Sequence, residues 1–127
     1  MSTSRTAIKK KLEILVKSYV KTRDNYTCQR CGKKLEKSNC HASHIFPVSK
    51  GLMWAYDPEN IITLCFHCHI NFWHKNPTEA YLWFVTNFKK KYQYLTSKIL
   101  AYKTREIKNY ELEELYERLK KTLVQDS

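Results

Sequence analysis

Four of the five cysteines stand as two matched pairs, Cys28-Gln-Arg-Cys31 and Cys65-Phe-His-Cys68. Thiolates two residues apart can grip one tetrahedral ion together, and two such pairs complete the four-ligand shell of a structural zinc site. The odd cysteine total argues against a closed disulfide framework. Cys40, left over, reads as a small buried hydrophobe. All five histidines (His41, His44, His67, His69 and His74) fall between residues 41 and 74, around and inside the cysteine pairs. An imidazole titrates near neutral pH, so it can ligate a metal or take a proton from water without carrying a permanent charge. Asn60 cannot titrate and suits holding a neighbour in place.

These residues need elements to position them. Ile8, Leu12, Leu15, Val16, Tyr19 and Val20 recur at helical spacing, which predicts an amphipathic helix over residues 5–22 with Ser4 or Thr6 at its start. Arg23-Asp24-Asn25 breaks it before the first cysteine pair, and Gly32 permits a left-handed turn in a zinc knuckle. Residues 40–48 read as a strand ending at Pro47, residues 49–60 as an irregular loop, and Ile61-Ile62-Thr63-Leu64 as a short buried strand. A helix is expected from about His67 to His74. Further helices are expected over 79–88 with Thr78 as cap, over 90–103, and from Asn109, its own cap, to Val124.

At 127 residues the chain is one domain's worth. A net charge of +11, spread over every segment, attracts polyanions, and nucleic acid is the default partner for such a surface. No run of apolar residues is long enough to span a membrane. The start, MSTSRTAIKKK, has no apolar stretch behind it and does not resemble a secretory signal. The expected setting is therefore a reducing cytoplasm, where cysteine pairs hold metal rather than disulfides.

The ordered set of a CxxC knuckle, His44-Ile45-Phe46-Pro47, Asn60 opening a strand, and Cys65-Phe66-His67-Cys68-His69 entering a helix resembles the HNH endonuclease family. The likeness is closest to the small stand-alone nucleases of bacteriophages and prokaryotes and covers roughly residues 26–78. It implies an α+β protein: a ββα-metal (His-Me finger) centre stapled by zinc, flanked by the N-terminal helix and by C-terminal helices over 79–125, all in one nuclease domain. It also implies hydrolysis of DNA phosphodiesters with one catalytic divalent ion, Mg²⁺ or Mn²⁺, leaving 5′-phosphate and 3′-hydroxyl ends. By the resemblance His44 is the general base, Asn60 the residue that orients it, and His69 a ligand of the catalytic ion.

Many family members carry Asp or His immediately before the base as a second metal ligand. Here that residue is Ser43, a poor ligand for a hard cation except through water. The nearest substitutes are His74 and His41. Five residues of α-helix turn through about 500°, which leaves His74 roughly 140° from His69. Either the helix widens locally into a π-bulge, a form that recurs at functional sites, or it ends before His74. His41 and His44 point to opposite faces of a regular strand, so His41 would need a bulge to share the site.

Trp54 in the irregular loop, with Lys50 and Lys75, is the candidate DNA contact; Phe72, Trp73 and Trp83 read as core. The run Lys89-Lys90-Lys91 fits either a phosphate grip or a solvated helix face. Two other readings stay open. Ser43 suits a non-catalytic zinc module that binds nucleic acid, and the aromatic C-terminal third suits docking to a phage or host protein. With one active site, the chain is expected to act as a monomer or weak dimer.

Overall fold

The computed structural model describes residues 4–103 and 106–126. Helix α1 (Arg5–Arg23) starts where the Ser4 hydroxyl accepts the Ala7 amide at 3.2 Å, and it buries Ile8, Leu12, Val16 and Val20 at strict four-residue spacing. It ends without a glycine. Asn25 and Tyr26 take the left-handed turn themselves, at φ 54° and 50°. The first knuckle follows: the Cys28 amide donates to the Lys33 carbonyl and the Gly32 amide to the Cys28 carbonyl, both at 2.9 Å, with Gly32 at φ 79°.

Strands β1 (His41–His44) and β2 (Ile61–Leu64) form an antiparallel pair in the register His41 to Leu64 through His44 to Ile61. β1 is shorter than the predicted 40–48. Beyond His44 the chain turns onto Asn60, whose carbonyl accepts the Ile45 amide at 2.8 Å and whose side chain takes the Phe46 amide at 2.7 Å. A lone two-stranded sheet is marginal in water and leaves its outer edges unpaired. Here the end of α1 and the first knuckle cover one. Arg23 donates to the Ile61 carbonyl at 2.7 Å, the Asp24 carboxylate accepts the Thr63 amide at 3.0 Å, and the Gln29 amide donates to the Thr63 carbonyl at 2.9 Å.

Residues between the strands are irregular as expected, but fold into three 3₁₀ turns: Val48–Lys50, Leu52–Ala55 and Pro58–Asn60. Gly51, at φ 148°, lets this loop lie against the helical segment beyond it, because a Cβ there would collide with the Tyr102 carbonyl. After β2 comes a π-helix, His67–His74. Then follow α2 (Pro77–Asn87), α3 (Lys89–Ser97), α4 (Ile99–Tyr102) and α5 (Asn109–Asp126).

Three helix boundaries differ from expectation. Thr78 does not cap α2; Pro77 opens that helix, its fixed φ being already helical. The expected helix over 90–103 breaks at Lys98. Just before the break, the Thr96 and Ser97 hydroxyls bond back to the Gln93 and Tyr94 carbonyls, a pattern that bends helices. Asn109 is the first helical residue rather than a cap, and its side-chain oxygen accepts from Arg5 at 3.0 Å.

The core has three parts. α1 packs with Tyr56, Ile61, Ile107, Leu112 and Leu115. Ile62 and Leu64, on the other face of β2, pack with Leu35, Cys40 and the knuckle cysteines. Trp54, Phe84 and Leu95 join the central loop to α2 and α3.

Candidate active site and metal centres

The two CxxC pairs converge. The sulfurs of Cys28, Cys31, Cys65 and Cys68 all lie within 4.8 Å of one another, with Cys31 and Cys65 3.9 Å apart. A tetrahedron with Zn–S bonds near 2.3 Å has edges of about 3.8 Å, so the cluster has the size of a structural zinc site. Backbone amides point at the sulfurs: Cys31 to Cys28 at 3.5 Å and Cys68 to Cys65 at 3.4 Å. Burial raises the Cys28 thiol, but the surrounding amides lower it by more, to about 7, while burial pushes the neighbouring Cys68 thiol up to about 12. Arg30 donates to Cys68 Sγ at 3.4 Å while its guanidinium lies 3.5 Å over the Phe72 ring, placing a cation where four thiolates concentrate negative charge. Cys40 is buried beside this cluster, and burial pushes its thiol up, as expected of an inert hydrophobe.

A separate cleft of about 390 Å³ brings His44, His69 and His74 together, with Ala42 and Trp73 also on its wall. His44 ends β1 and is half-buried. Its Nε2 lies 3.4 Å from the Ala55 carbonyl, an acceptor only, so Nε2 carries the proton and Nδ1 is the basic nitrogen. Burial pulls the His44 pKa below its ordinary 6.5; the Ala55 carbonyl and Glu13 oppose this and Lys17 adds to it.

Asn60 is fully buried and holds the loop that supplies Ala55. Its Oδ1 accepts the Phe46 amide at 2.7 Å, and its Nδ2 donates to the carbonyls of Phe46 at 3.0 Å and Trp54 at 2.8 Å. One side chain thus fixes both ends of the 46–54 segment, immediately before the carbonyl that touches His44.

The π-helix settles the spacing of His69 and His74. A π-helix is wider than an α-helix and bonds residues five apart, which brings the two side chains together, with Nε2 atoms 3.0 Å apart. Two imidazole nitrogens each about 2.1 Å from one ion and at right angles stand about 3 Å apart, so this pair suits neighbouring corners of an octahedral cation. Burial first, then His74, His41, His44 and Lys17, lower the His69 pKa to about 4, so it is neutral and ready to ligate at physiological pH.

Three residues expected at the site stand elsewhere. Ser43 shares a strand face with His41, opposite His44; it is 1 % exposed, its hydroxyl has no hydrogen-bond partner, and it does not line the cleft. His41 needs no bulge, because it meets His69 from behind, at 2.9 Å between Nδ1 atoms, rather than from the cleft. Trp54 is 1 % exposed, stacked on Phe46 and edge-on to Tyr102; a ring so enclosed cannot stack on a base. Lys50 and Lys75 are exposed. Lys91 pairs with Glu59 at 2.8 Å, which leaves Lys89 and Lys90 as the open charges of that run.

Sequence reasoning missed the Ala55 carbonyl, which has no side-chain signature, and Lys17, whose charge acts on both His44 and His69 from α1. It also missed Asp57, buried at the foot of the loop, which accepts from Tyr94 at 2.8 Å and Tyr102 at 2.9 Å.

Residues 28–71 match the family model for HNH endonuclease. No curated protein and no solved structure matches the chain. The match takes in both knuckles, both strands and His69; α1, His74 and the helices from α2 onward lie outside it.

Proposed function

We propose, from the match of residues 28–71 to the HNH endonuclease family model, that this protein is a DNA endonuclease in which His44 activates water and His69 and His74 hold one divalent ion, Mg²⁺ or Mn²⁺. The observation that carries the proposal is one cleft joining two kinds of imidazole. One, His44, has its Nε2–H against a backbone carbonyl; the other two face each other at 3.0 Å through Nε2 atoms.

His44 takes a proton from the attacking water as its oxygen bonds to phosphorus. The Ala55 carbonyl stabilises the imidazolium that results by accepting from Nε2–H. Asn60 keeps that carbonyl in place by tying Phe46 to Trp54. The phosphorus bond to the 3′ oxygen breaks and that oxygen takes a proton from solvent water, giving 5′-phosphate and 3′-hydroxyl ends. A bound divalent ion would supply charge to polarise the phosphate and stabilise the departing oxygen. The four cysteines hold a second, structural ion away from the chemistry. One such site per chain nicks one strand at a time, so a monomer suffices for nicking and a double-strand break needs two events.

The test is to incubate purified protein with supercoiled plasmid in Mg²⁺, Mn²⁺ or EDTA, then treat the nicked product with DNA ligase alone. Metal-dependent nicks that reseal without prior phosphorylation support the proposal, since ligase requires a 5′-phosphate beside a 3′-hydroxyl. Salt-sensitive DNA binding without nicks in any metal would show a binding module instead.

A further inference from the structure

We infer that His41 is a positioning residue that locks His69 in the tautomer able to bind the catalytic ion; this rests on the metal-site reading above. The argument runs along a chain of three groups. His41 Nε2 lies 2.8 Å from the Ser38 carbonyl. A carbonyl oxygen only accepts, so this nitrogen carries the hydrogen and the neutral ring's lone pair sits on Nδ1. That lone pair faces His69 Nδ1 at 2.9 Å, so His69 carries its own hydrogen on Nδ1. His69 Nε2 is left bare, pointing at His74.

The opposite tautomer of His69 would set two lone pairs against each other at 2.9 Å and put a hydrogen where the metal must bind. Both penalties act in the same direction. The ring of His41 is itself fixed edge-on between Phe66, at 5.9 Å and 87°, and His69, at 5.1 Å and 90°. Because each ring nitrogen of His69 has its own neighbour, His41 and His74 cannot share an ion across it. His41 is therefore the outer support and His74 the second ligand. Ligating histidines commonly donate their far N–H to a carbonyl, carboxylate or water, and loss of that support typically costs about 10–100-fold in metal affinity. Here another histidine takes the accepting role, and the Ser38 carbonyl fixes which of its nitrogens can do so.

The test uses the full, zinc-loaded chain with His41→Phe, which keeps a ring but no acceptor, and His41→Asn, whose carbonyl can stand near Nδ1. ¹⁵N-imidazole spectra read the His69 tautomer without divalent metal, and Mn²⁺ titration followed by electron paramagnetic resonance reads affinity without DNA. The wild type is expected to hold His69 with its hydrogen on Nδ1. His41→Phe should lose that preference and bind Mn²⁺ about tenfold or more weakly, and His41→Asn should recover most of both. Unchanged tautomer and affinity in His41→Phe, equal losses in both variants, or no Mn²⁺ binding by the wild type would each overturn the inference. If His41→Phe does not fold, a wild-type His69 carrying its hydrogen on Nε2 overturns it alone. Plasmid nicking that is indifferent to His41 leaves the nuclease reading standing without this inference. His41-dependent Mn²⁺ binding with no nicking does the reverse.

Discussion

Burial strips the hydration that would stabilise a charged ring at both His44 and His69, and the Lys17 cation adds to the effect at each. For a base the sign is simple: only unprotonated His44 can take a proton from water, and a lowered pKa keeps that form present further into acid. The nicking rate should therefore fall to half only at a pH below 6.5. An initial-rate profile between pH 5 and 8 checks this, and a half-rate point at or above 6.5 would contradict it. Much of this site was legible at the level of single residues. His44 and His69 stood where the structure opens a cleft and Asn60 where it ties a loop, and of the two outcomes that the five-residue gap to His74 allowed, a π-helical turn or an earlier helix end, the chain takes the first. What could not be read were partners without side chains, such as the Ala55 carbonyl. The inward packing of Trp54 was equally hidden, because a tryptophan in an irregular loop looks the same in sequence whether it faces solvent or core.

The elements have one weak point, the loop between the strands, where three short 3₁₀ turns replace regular structure. Two devices hold it: Asn60 at its inner end and the Asp57 carboxylate receiving two tyrosine hydroxyls. Burial, then Asp57, push the Tyr94 hydroxyl up to about 12, so it remains a donor at any physiological pH. Asn60→Ala would leave three backbone groups unpaired, the Phe46 amide and the carbonyls of Phe46 and Trp54. It should cost about 3 kcal/mol in urea unfolding. It should also lower kcat more than KM, because the Ala55 carbonyl loses its support. Unchanged kcat in a folded variant would separate Asn60 from catalysis. Helix existence followed from apolar periodicity, whereas boundaries did not. Pro77 displaced Thr78 from the cap, and two hydroxyls near Lys98 split a helix whose hydrophobic pattern ran through.

For the whole molecule, the zinc cluster and the α1 core flank the same small sheet and do different work. α1 and α5 bury Ile8, Leu12, Leu112 and Leu115 against Ile61, while the cysteines anchor the opposite face through Ile62 and Leu64. The two strands carry four residues each, too few to persist alone. Stripping zinc with a strong chelator should accordingly abolish the cooperative thermal transition of the centre, and re-addition of Zn²⁺ should restore it. An identical melting curve with and without zinc would contradict a structural role. Charge was legible at this scale from the start: a chain at +11 suits a polyanion, and none of the described helices is long and apolar enough to cross a membrane. The tertiary joins were not. Arg5 reaching the Ile107 carbonyl, and Asp24 capping β2, are contacts between residues 102 and 39 positions apart, with no local sequence signal.

The most direct test is plasmid nicking by His44→Ala beside the wild type in Mg²⁺ and Mn²⁺, with zinc content and folding checked in both. Wild-type nicking that needs metal and vanishes in a folded, zinc-loaded His44→Ala is the expected result. Equal nicking by the two proteins would contradict the assignment of His44 as the base.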